Sequence, residues 1–367
     1  MINQYQSNND KVFIKQYYDK KMKIVAIFTI FEANNIGAYL QAYSLMTVVK
    51  RMGIENVYIG KNIQVGYGAH NSSILTKVIK YLKAGDIKKL MFKSRSAAVY
   101  REMQSAIPMI DMAENPKMDC AIIGSDEVWN IKSKNFTHYS TYFGHGINTD
   151  KIVAYAPCGN GVTADDFHKI MPDEKFQMFS SLSARDADTQ LCVKTVSGKE
   201  VTRVVDPTML IDDFGMEFPE CPIHKDFVMV YSYGIDDKYI SQIRRFAKQK
   251  SMPLISVGTY NSWCNKNVIV NPWEFLGYLK AAKYVIVSTF HGTILSIKLN
   301  KQFVCYAGNS SKVQDVLNFY NLQDRNVRKA EELTEMFNTH IDYEPVNHII
   351  EDSRKDSIDY LKNAMGI

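Results

Sequence analysis

The segment from Thr289 to Gly292, which reads Thr-Phe-His-Gly, has the residue types best suited to catalysis. It follows an apolar run, Tyr284 to Ser288, that predicts a buried strand, and Gly292 is predicted to begin a helix. His291 would then lie at a helix N-terminus, where backbone N–H groups attract anions. A histidine gives or takes a proton near neutral pH, and we expect the helix end to lower the pKa of His291, as suits a general acid. A structural helix cap explains the same position about as well.

Arg185 follows a second predicted strand, Ser181 to Ser183. A guanidinium is permanently charged and forks onto a carboxylate or a phosphate. A salt bridge at the surface or between domains is the commoner role of an arginine. Arg185 is therefore a candidate anion contact with a structural alternative.

The segment from Gly124 to Asn130, Gly-Ser-Asp-Glu-Val-Trp-Asn, follows a third predicted strand. Gly124 permits close approach of the backbone to a ligand, and the side chains of Ser125 and Asp126 suit hydrogen bonds to sugar hydroxyls. An N-cap is the structural alternative for Asp126. Trp129 has the shape to stack on a sugar face, although a place in the core is favoured.

Asn34 and Asn35 form a polar turn after the first predicted strand. This turn lacks the G-x-G-x-x-G of a dinucleotide site, and the chain has no Walker A motif, no H-E-x-x-H and no G-x-S-x-G. No His, Asp or Glu cluster has metal-ligand spacing. We therefore predict neither a metal nor a bound cofactor.

The chain has 367 residues, with 44 Lys and Arg against 39 Asp and Glu, a formal net charge of +5. At about 150 residues per domain, this length suggests two or three domains. The charge is too small for a nucleic-acid-binding footprint but suits an anionic small substrate or membrane surface. The six cysteines form no C-x-x-C pair, which argues against a zinc ribbon or a dithiol redox motif. We see no apolar leader and no membrane-spanning run, and expect a cytoplasmic protein.

Apolar runs alternate with helical patterns, as in a parallel α/β protein. The alternation pauses from Asp212 to Lys225 and then restarts. We therefore predict two Rossmann-like domains, residues 22–212 and 225–345, facing across a cleft. A final helix, residues 351–367, is expected to pack back on the first domain.

The stretch from Lys77 to Arg101 has eight Lys or Arg against one acid, Asp86. A solvated helix and loop is the favoured interpretation. The alternative is a basic arm that contacts a membrane or guards an anionic site.

Several segments in a fixed order resemble the polysaccharide pyruvyl transferase family. They are Asn35–Tyr43, Gly124–Asn130, Tyr155–Pro157, Ser183–Asp186, Val205–Leu210 and Phe290–Thr293. The resemblance extends from about residue 23 to 327 and implies a glycosyltransferase-B-like fold. It also implies transfer of an enolpyruvyl unit from phosphoenolpyruvate to a sugar, usually with closure of a cyclic ketal. The chain departs from the family pattern at Ser288-Thr289, where many members have Asp-Ser and others Ser-Arg.

The resemblance implies that His291 is catalytic and that Arg185 holds phosphoenolpyruvate. We expect the first domain to form the acceptor side of the cleft and the second domain, with His291, the donor side. Lys312 stands where an arginine is often found, and we add it to the donor site. We predict that Asp126 is the second catalytic residue and orients or deprotonates a sugar hydroxyl. We also predict that phosphoenolpyruvate contacts Thr289, Phe290 and Gly292. The acceptor, a sugar or a lipid-linked oligosaccharide, is predicted to contact Asn34, Asn35, Gly124, Ser125 and Trp129.

Two other functions remain open at this point. One is a nucleotide-sugar glycosyltransferase of the same fold, which needs an acidic or aromatic nucleotide contact that the second domain does not display in sequence. The other is an inactive scaffold protein of a polysaccharide cluster, which the altered residues Ser288 and Thr289 allow.

Overall fold

The computed structural model describes residues 22–61, 66–67, 86–133, 138–212, 214 and 217–367. The strands in these residues, numbered along the chain, are β1 Ile24–Phe28, β2 Asn56–Gly60, β3 Gly66–Tyr67, β4 Met109–Ile110, β5 Cys120–Ile123, β6 His138–Tyr139, β7 Ile152–Ala154, β8 Leu182–Ala184, β9 Val201–Arg203, β10 Val228–Tyr231, β11 Leu254–Val257, β12 Lys266–Val268, β13 Tyr284–Val287 and β14 Phe303–Cys305. The helices are α1 Ile36–Arg51, α2 Ile87–Ser105, α3 Ala164–Ile170, α4 Ala187–Ser197, α5 Asp237–Gln249, α6 Pro272–Ala281, α7 Phe290–Lys298, α8 Ser311–Phe319, α9 Leu333–Asn338 and α10 Glu344–Met365. None of the helices in the described ranges is long and apolar enough to cross a membrane.

The first sheet has the strand order β4-β2-β1-β5-β7, and all its neighbouring strands are parallel. Its central strand β1 has Val25 paired with Val57 on one side and Cys120 on the other. A bridge between Val153 and Ser181 attaches the parallel pair β8-β9 to its edge. The central strands are buried on both faces, which explains why they read as continuous apolar runs. We call this sheet with its helices the first lobe.

The second sheet has the order β12-β11-β10-β13-β14, again entirely parallel. In its central strand β10, Val228 pairs with Leu254 and with Tyr284. In each sheet the first strand along the chain therefore lies at the centre, with the next strands on one side of it and the later strands on the other. The strand order reverses beside this first strand. Ligands of open parallel sheets bind at this point, beyond the carboxyl ends of the strands. We call the second sheet with its helices the second lobe.

The two lobes meet through the start of α1, so the carboxyl ends of both sheets face each other. Trp273 of α6 packs edge-on against Tyr39 and Tyr43 of α1, with ring centroids 5.9 and 4.7 Å away. Gly258, at the end of β11, approaches Ile36 so closely that a Cβ there would lie 2.5 Å from its Cδ1 atom. This contact brings the loops after β1 and β5 next to the loop after β13.

The C-terminal helix α10 begins at Glu344, earlier than the predicted 351, because Pro345 occupies its first turn, where a missing N–H is tolerated. Ser357 accepts a hydrogen bond from Val205 N at 3.0 Å, and Tyr360 donates one to Ala154 O at 2.9 Å. The end of the chain therefore contacts the strands of the first lobe. The domain bounds 22–212 and 225–345 remain predictions.

Candidate active site

A fully buried carboxylate, Asp206, lies at the centre of the polar residues between the lobes. It follows β9 and accepts hydrogen bonds from Arg185 Nη1 at 2.7 Å and from Ser125 Oγ at 3.4 Å, both through Oδ2. The same oxygen lies 3.8 Å from His291 Nε2. Thr208 satisfies the other oxygen, Oδ1, through its backbone N–H and hydroxyl, at 3.0 and 2.7 Å. One carboxylate thus links groups from three loops and both lobes.

Arg185, just after β8, is held on three sides. Besides Asp206, it faces Asp126 Oδ1 at 3.5 Å from Nη2, and its guanidinium carbon lies 3.9 Å above the ring of Phe290. Yet Nε and Nη2 are buried and make no hydrogen bond. Buried donors of a charged group are normally satisfied. This edge of the guanidinium, where Nη2 faces Asp126, is therefore the part of Arg185 whose hydrogen-bonding capacity the protein leaves unused.

His291 lies in the first turn of α7 with 8% of its surface exposed. The predicted helix start at Gly292 is wrong, because Thr289 is the N-cap and its Oγ accepts the Gly292 N–H at 3.0 Å. The imidazole packs on Gly37, where an added Cβ would lie 2.1 Å from ring atoms Cγ and Nδ1. His291 Nε2 is buried without a hydrogen bond.

The electrostatics around His291 are mixed. Burial lowers the pKa of His291 below its ordinary value, while Asp206 and Asp126 oppose this and Arg185 adds to it. The predicted direction is therefore confirmed, but the largest cause is burial rather than the helix end. Burial raises the pKa of Asp206, but His291, Arg185 and Thr208 outweigh it, so that this carboxyl titrates below its usual range.

Asp126, the third residue after β5, adopts a left-handed backbone with φ of 70°. Its carbonyl accepts from Val128 N at 2.8 Å and Cys158 N at 2.9 Å, which fixes the turn. No helix follows, so the N-cap alternative is excluded. Its side chain faces Arg185 and keeps 15% of its surface exposed. Asp126 is thus a carboxylate at the margin of the buried cluster.

Lys312, in the first turn of α8, donates a hydrogen bond to Glu127 Oε1 of the first lobe. The other oxygen of Glu127 accepts from Asn130 at 2.6 Å and from Asn160 at 3.1 Å. Lys312, which was predicted to contact phosphoenolpyruvate, is therefore ion-paired with a residue of the other lobe. It still lies close enough to lower the pKa of His291.

Trp129 does not fit its predicted acceptor role. Its side chain is 0% exposed and packs on Phe176 and Phe179, with ring centroids 4.9 and 5.8 Å away. Its Nε1 donates to Tyr142 O at 2.9 Å. The ring fills the core of the first lobe and cannot reach a sugar.

Gly124 and Ser125 also serve the protein rather than an acceptor. A Cβ on Gly124, whose φ is 111°, would lie 2.2 Å from Tyr155 O, so this position requires glycine for backbone packing. Ser125 is fully buried, and its hydroxyl is used by Asp206. Both residues shape the site, and the prediction that they contact sugar is corrected.

Thr289, Phe290 and Gly292, which were predicted to contact phosphoenolpyruvate, interact instead with other parts of the protein. The N–H of Gly292 is used by the cap residue Thr289, and the ring of Phe290 covers Arg185. Asn35 caps α1, its Oδ1 accepting from Gly37 N at 2.8 Å, whereas the neighbouring Asn34 is exposed. Of the predicted acceptor residues, Asn34 is the one whose side chain is exposed to solvent.

Asp206 and Gly37 were missed as site residues. Both lie in segments that carry the family resemblance, which is the signal that points to them. Their importance comes from contacts with His291 and Arg185, residues remote in sequence.

A family model described as polysaccharide pyruvyl transferase matches residues 35–310. The chain belongs to the polysaccharide pyruvyl transferase family. It is accordingly a transferase whose acceptor class is a sugar or polysaccharide. The matched residues include His291, Arg185, Asp126 and Asp206, whereas Lys312 lies just beyond them. A search of curated protein sequences gave no match.

The solved structures with similar folds include two with TM-scores above 0.5. A UDP-N-acetylglucosamine 2-epimerase aligns with a TM-score of 0.55 and 11% identity, over 95% of this chain and 97% of that one. The S. aureus MnaA structure with UDP aligns with a TM-score of 0.52 and 9% identity, over 94% and 96% of the two chains. At such identities the likeness concerns the fold alone. The predicted glycosyltransferase-B-like architecture of two Rossmann-like units is thereby confirmed.

Proposed function

We propose that this transferase moves a pyruvate unit from phosphoenolpyruvate to a sugar of a cell-surface polysaccharide or its lipid-linked precursor, forming a pyruvate ketal. The observation that carries the proposal is the pairing of two unsatisfied groups. Arg185 has two buried donors without a hydrogen bond, and His291 has one buried nitrogen without a hydrogen bond. A small, multiply charged anion with an adjacent reactive carbon would use both.

Arg185 supplies the donor contact in this proposal. Asp206 fixes Nη1 and Phe290 covers one face, so the edge formed by Nε and Nη2 has a single orientation. A planar edge with two parallel donors matches a carboxylate or phosphate bidentately. Holding the donor in one pose lowers the entropy cost of the reaction.

His291 supplies the proton. Protonated His291 gives its proton to the methylene carbon of phosphoenolpyruvate, a C–H bond forms and C2 becomes cationic. One sugar hydroxyl attacks C2 and gives its proton to Asp126, which passes it to the departing phosphate. The second hydroxyl displaces that phosphate from C2, and its proton restores His291, so the reaction needs no further reactant. A depressed pKa makes His291 a stronger acid, and the charge of the bound donor helps to protonate it.

The test is release of phosphate from phosphoenolpyruvate by the purified protein with a panel of hexose and N-acetylhexosamine glycosides. Arg185→Lys keeps the charge beside Asp206 but loses the fork, so we expect the phosphoenolpyruvate KM to rise about tenfold or more, with kcat changed only a few-fold. A fall in kcat alone would contradict donor binding by Arg185. Thermal stabilisation by a nucleotide sugar and none by phosphoenolpyruvate would favour the glycosyltransferase alternative.

We also propose that α2 brings the enzyme to the cytoplasmic face of an anionic membrane, where a lipid-linked acceptor would lie. Residues 77–85 of the predicted basic stretch lie outside the described residues, but α2 is described. Ile87 and Met91 at its start are 55% and 50% exposed, and Lys88 and Arg95 are exposed beside them. Phe92 packs on Tyr260 of the loop after β11, with ring centroids 5.7 Å apart, so this helix reaches the second lobe.

Vesicle sedimentation tests this surface. Each basic residue near an anionic bilayer contributes about 1 kcal/mol, so Lys88→Ser with Arg95→Ser should weaken binding to phosphatidylglycerol vesicles by roughly 30-fold. The matched control is Arg245→Ser with Lys248→Ser, two exposed positions on α5. Equal binding by both double variants would rule out α2 as the contact.

A further inference from the structure

Asp206 contacts both groups that the proposed reaction requires, yet it touches neither substrate in that reaction. Its Oδ2 accepts from Arg185 at 2.7 Å and lies 3.8 Å from His291 Nε2. Its side chain is 0% exposed. A buried charge is costly unless it is paired and hydrogen-bonded, and the charged partners of Asp206 are the two groups that the proposed reaction uses.

The two oxygens of Asp206 have separate tasks. Oδ1 accepts both hydrogen bonds from Thr208. These bonds cap the short 3-10 helix Pro207–Met209. Oδ2 serves Arg185, His291 and the hydroxyl of Ser125. A local structural role and a role toward the site can therefore be separated by substitution.

We propose that Asp206 is a positioning residue for pyruvyl transfer: it turns the edge of Arg185 that makes no hydrogen bond toward the donor and holds a proton on His291 by its negative charge. The identity of the donor rests on the proposed function. The coupling between Asp206 and His291 does not, since it concerns the free protein.

The charges that face His291 determine the sign of the effect. Asp206 and Asp126 favour its protonated form, Arg185 and Lys312 disfavour it, and Gly37 of α1 adds no charge. Burial is the largest influence and already lowers the pKa of His291. Without the Asp206 charge, Asp126 is left among these groups to oppose that lowering. His291 would then lose its proton at a lower pH than in the wild type.

Asp206→Asn is the informative variant, because its amide oxygen can still accept from Thr208 while its charge is gone. We expect kcat/KM to fall roughly 10²-fold near neutral pH, and the alkaline limb of the kcat profile to move about one pH unit or more downward. Titration of the free protein by ¹⁵N-histidine NMR, with the His291 signal assigned from His291→Gln, should show the same downward shift. Asp206→Glu retains the charge and should restore the limb.

Thr208→Val is the matched control, since it removes a hydrogen bond to Oδ1 and keeps the charge. It should lower Tm and leave the alkaline limb in place. The proposal is overturned if Asp206→Asn leaves the His291 titration unchanged and loses activity equally at every pH, as a purely structural residue would. If the NMR shift appears but no variant uses phosphoenolpyruvate, the proton-holding role is supported and the proposed donor fails.

Discussion

His291→Gln is expected to abolish most turnover while leaving the protein folded. Glutamine retains a polar side chain of similar length beside Gly37 but cannot donate a proton as an acid. Positioned proton transfer contributes about 10²- to 10⁴-fold, so we expect a loss of that size in kcat. The KM for phosphoenolpyruvate should change little, because Arg185 remains in place.

The control for this substitution is His168→Gln, at an exposed position on α3. It changes the same residue type far from the buried cluster and should retain wild-type turnover and Tm. If His291→Gln turns over within about threefold of the wild type, proton donation by His291 is excluded.

Gly37→Ala is expected to be nearly as damaging, although it adds one methyl group on the opposite lobe. The new Cβ would lie 2.1 Å from His291 Cγ and 2.5 Å from its Cβ. These atoms are close to the backbone of α7, so the ring cannot move aside by a simple rotation. Overpacking of this kind costs about 1–3 kcal/mol. We expect a lower Tm together with a fall in kcat of at least about 10²-fold, since misplacement by about 1 Å has that effect on catalysis.

A double-mutant cycle isolates the contact. In a His291→Gly background both the ring and the Cβ atom that the added methyl group would meet are absent, so Gly37→Ala should lower Tm much less than it does in the wild type. Gly234→Ala is the matched control, because a Cβ there meets nothing within 4 Å. Equal Tm losses in the two backgrounds would show that Gly37 and His291 are not in contact.

The sheet architecture was predictable because its strands are buried on both faces. The central runs, such as β1 and β13, are continuously apolar, and the polar loops follow their carboxyl ends. Topology then limits the ligand-binding loops to a few segments. This reasoning, joined to the family resemblance, located His291, Arg185 and Asp126 next to one another.

The remaining features depend on contacts that no local pattern encodes. Trp129 has an aromatic ring that could stack on a sugar. Its packing on Phe176 and Phe179 shows that it belongs to the core. Lys312 has the charge of a donor contact, but its partner Glu127 lies in the other lobe. The role of the Asp206 carboxylate depends on its contact with His291 of the other lobe. The same is true of Gly37, whose lack of a side chain leaves room for that histidine.

The central claim is that Arg185 and His291 together hold a small dianionic donor between the lobes. A crystal structure of the wild-type protein with phosphoenolpyruvate tests it most directly. We predict a carboxylate or phosphate on Nε and Nη2 of Arg185, with the methylene carbon next to Nε2 of His291. Phosphoenolpyruvate bound elsewhere, with Nε and Nη2 of Arg185 and Nε2 of His291 still lacking hydrogen bonds, would contradict the account.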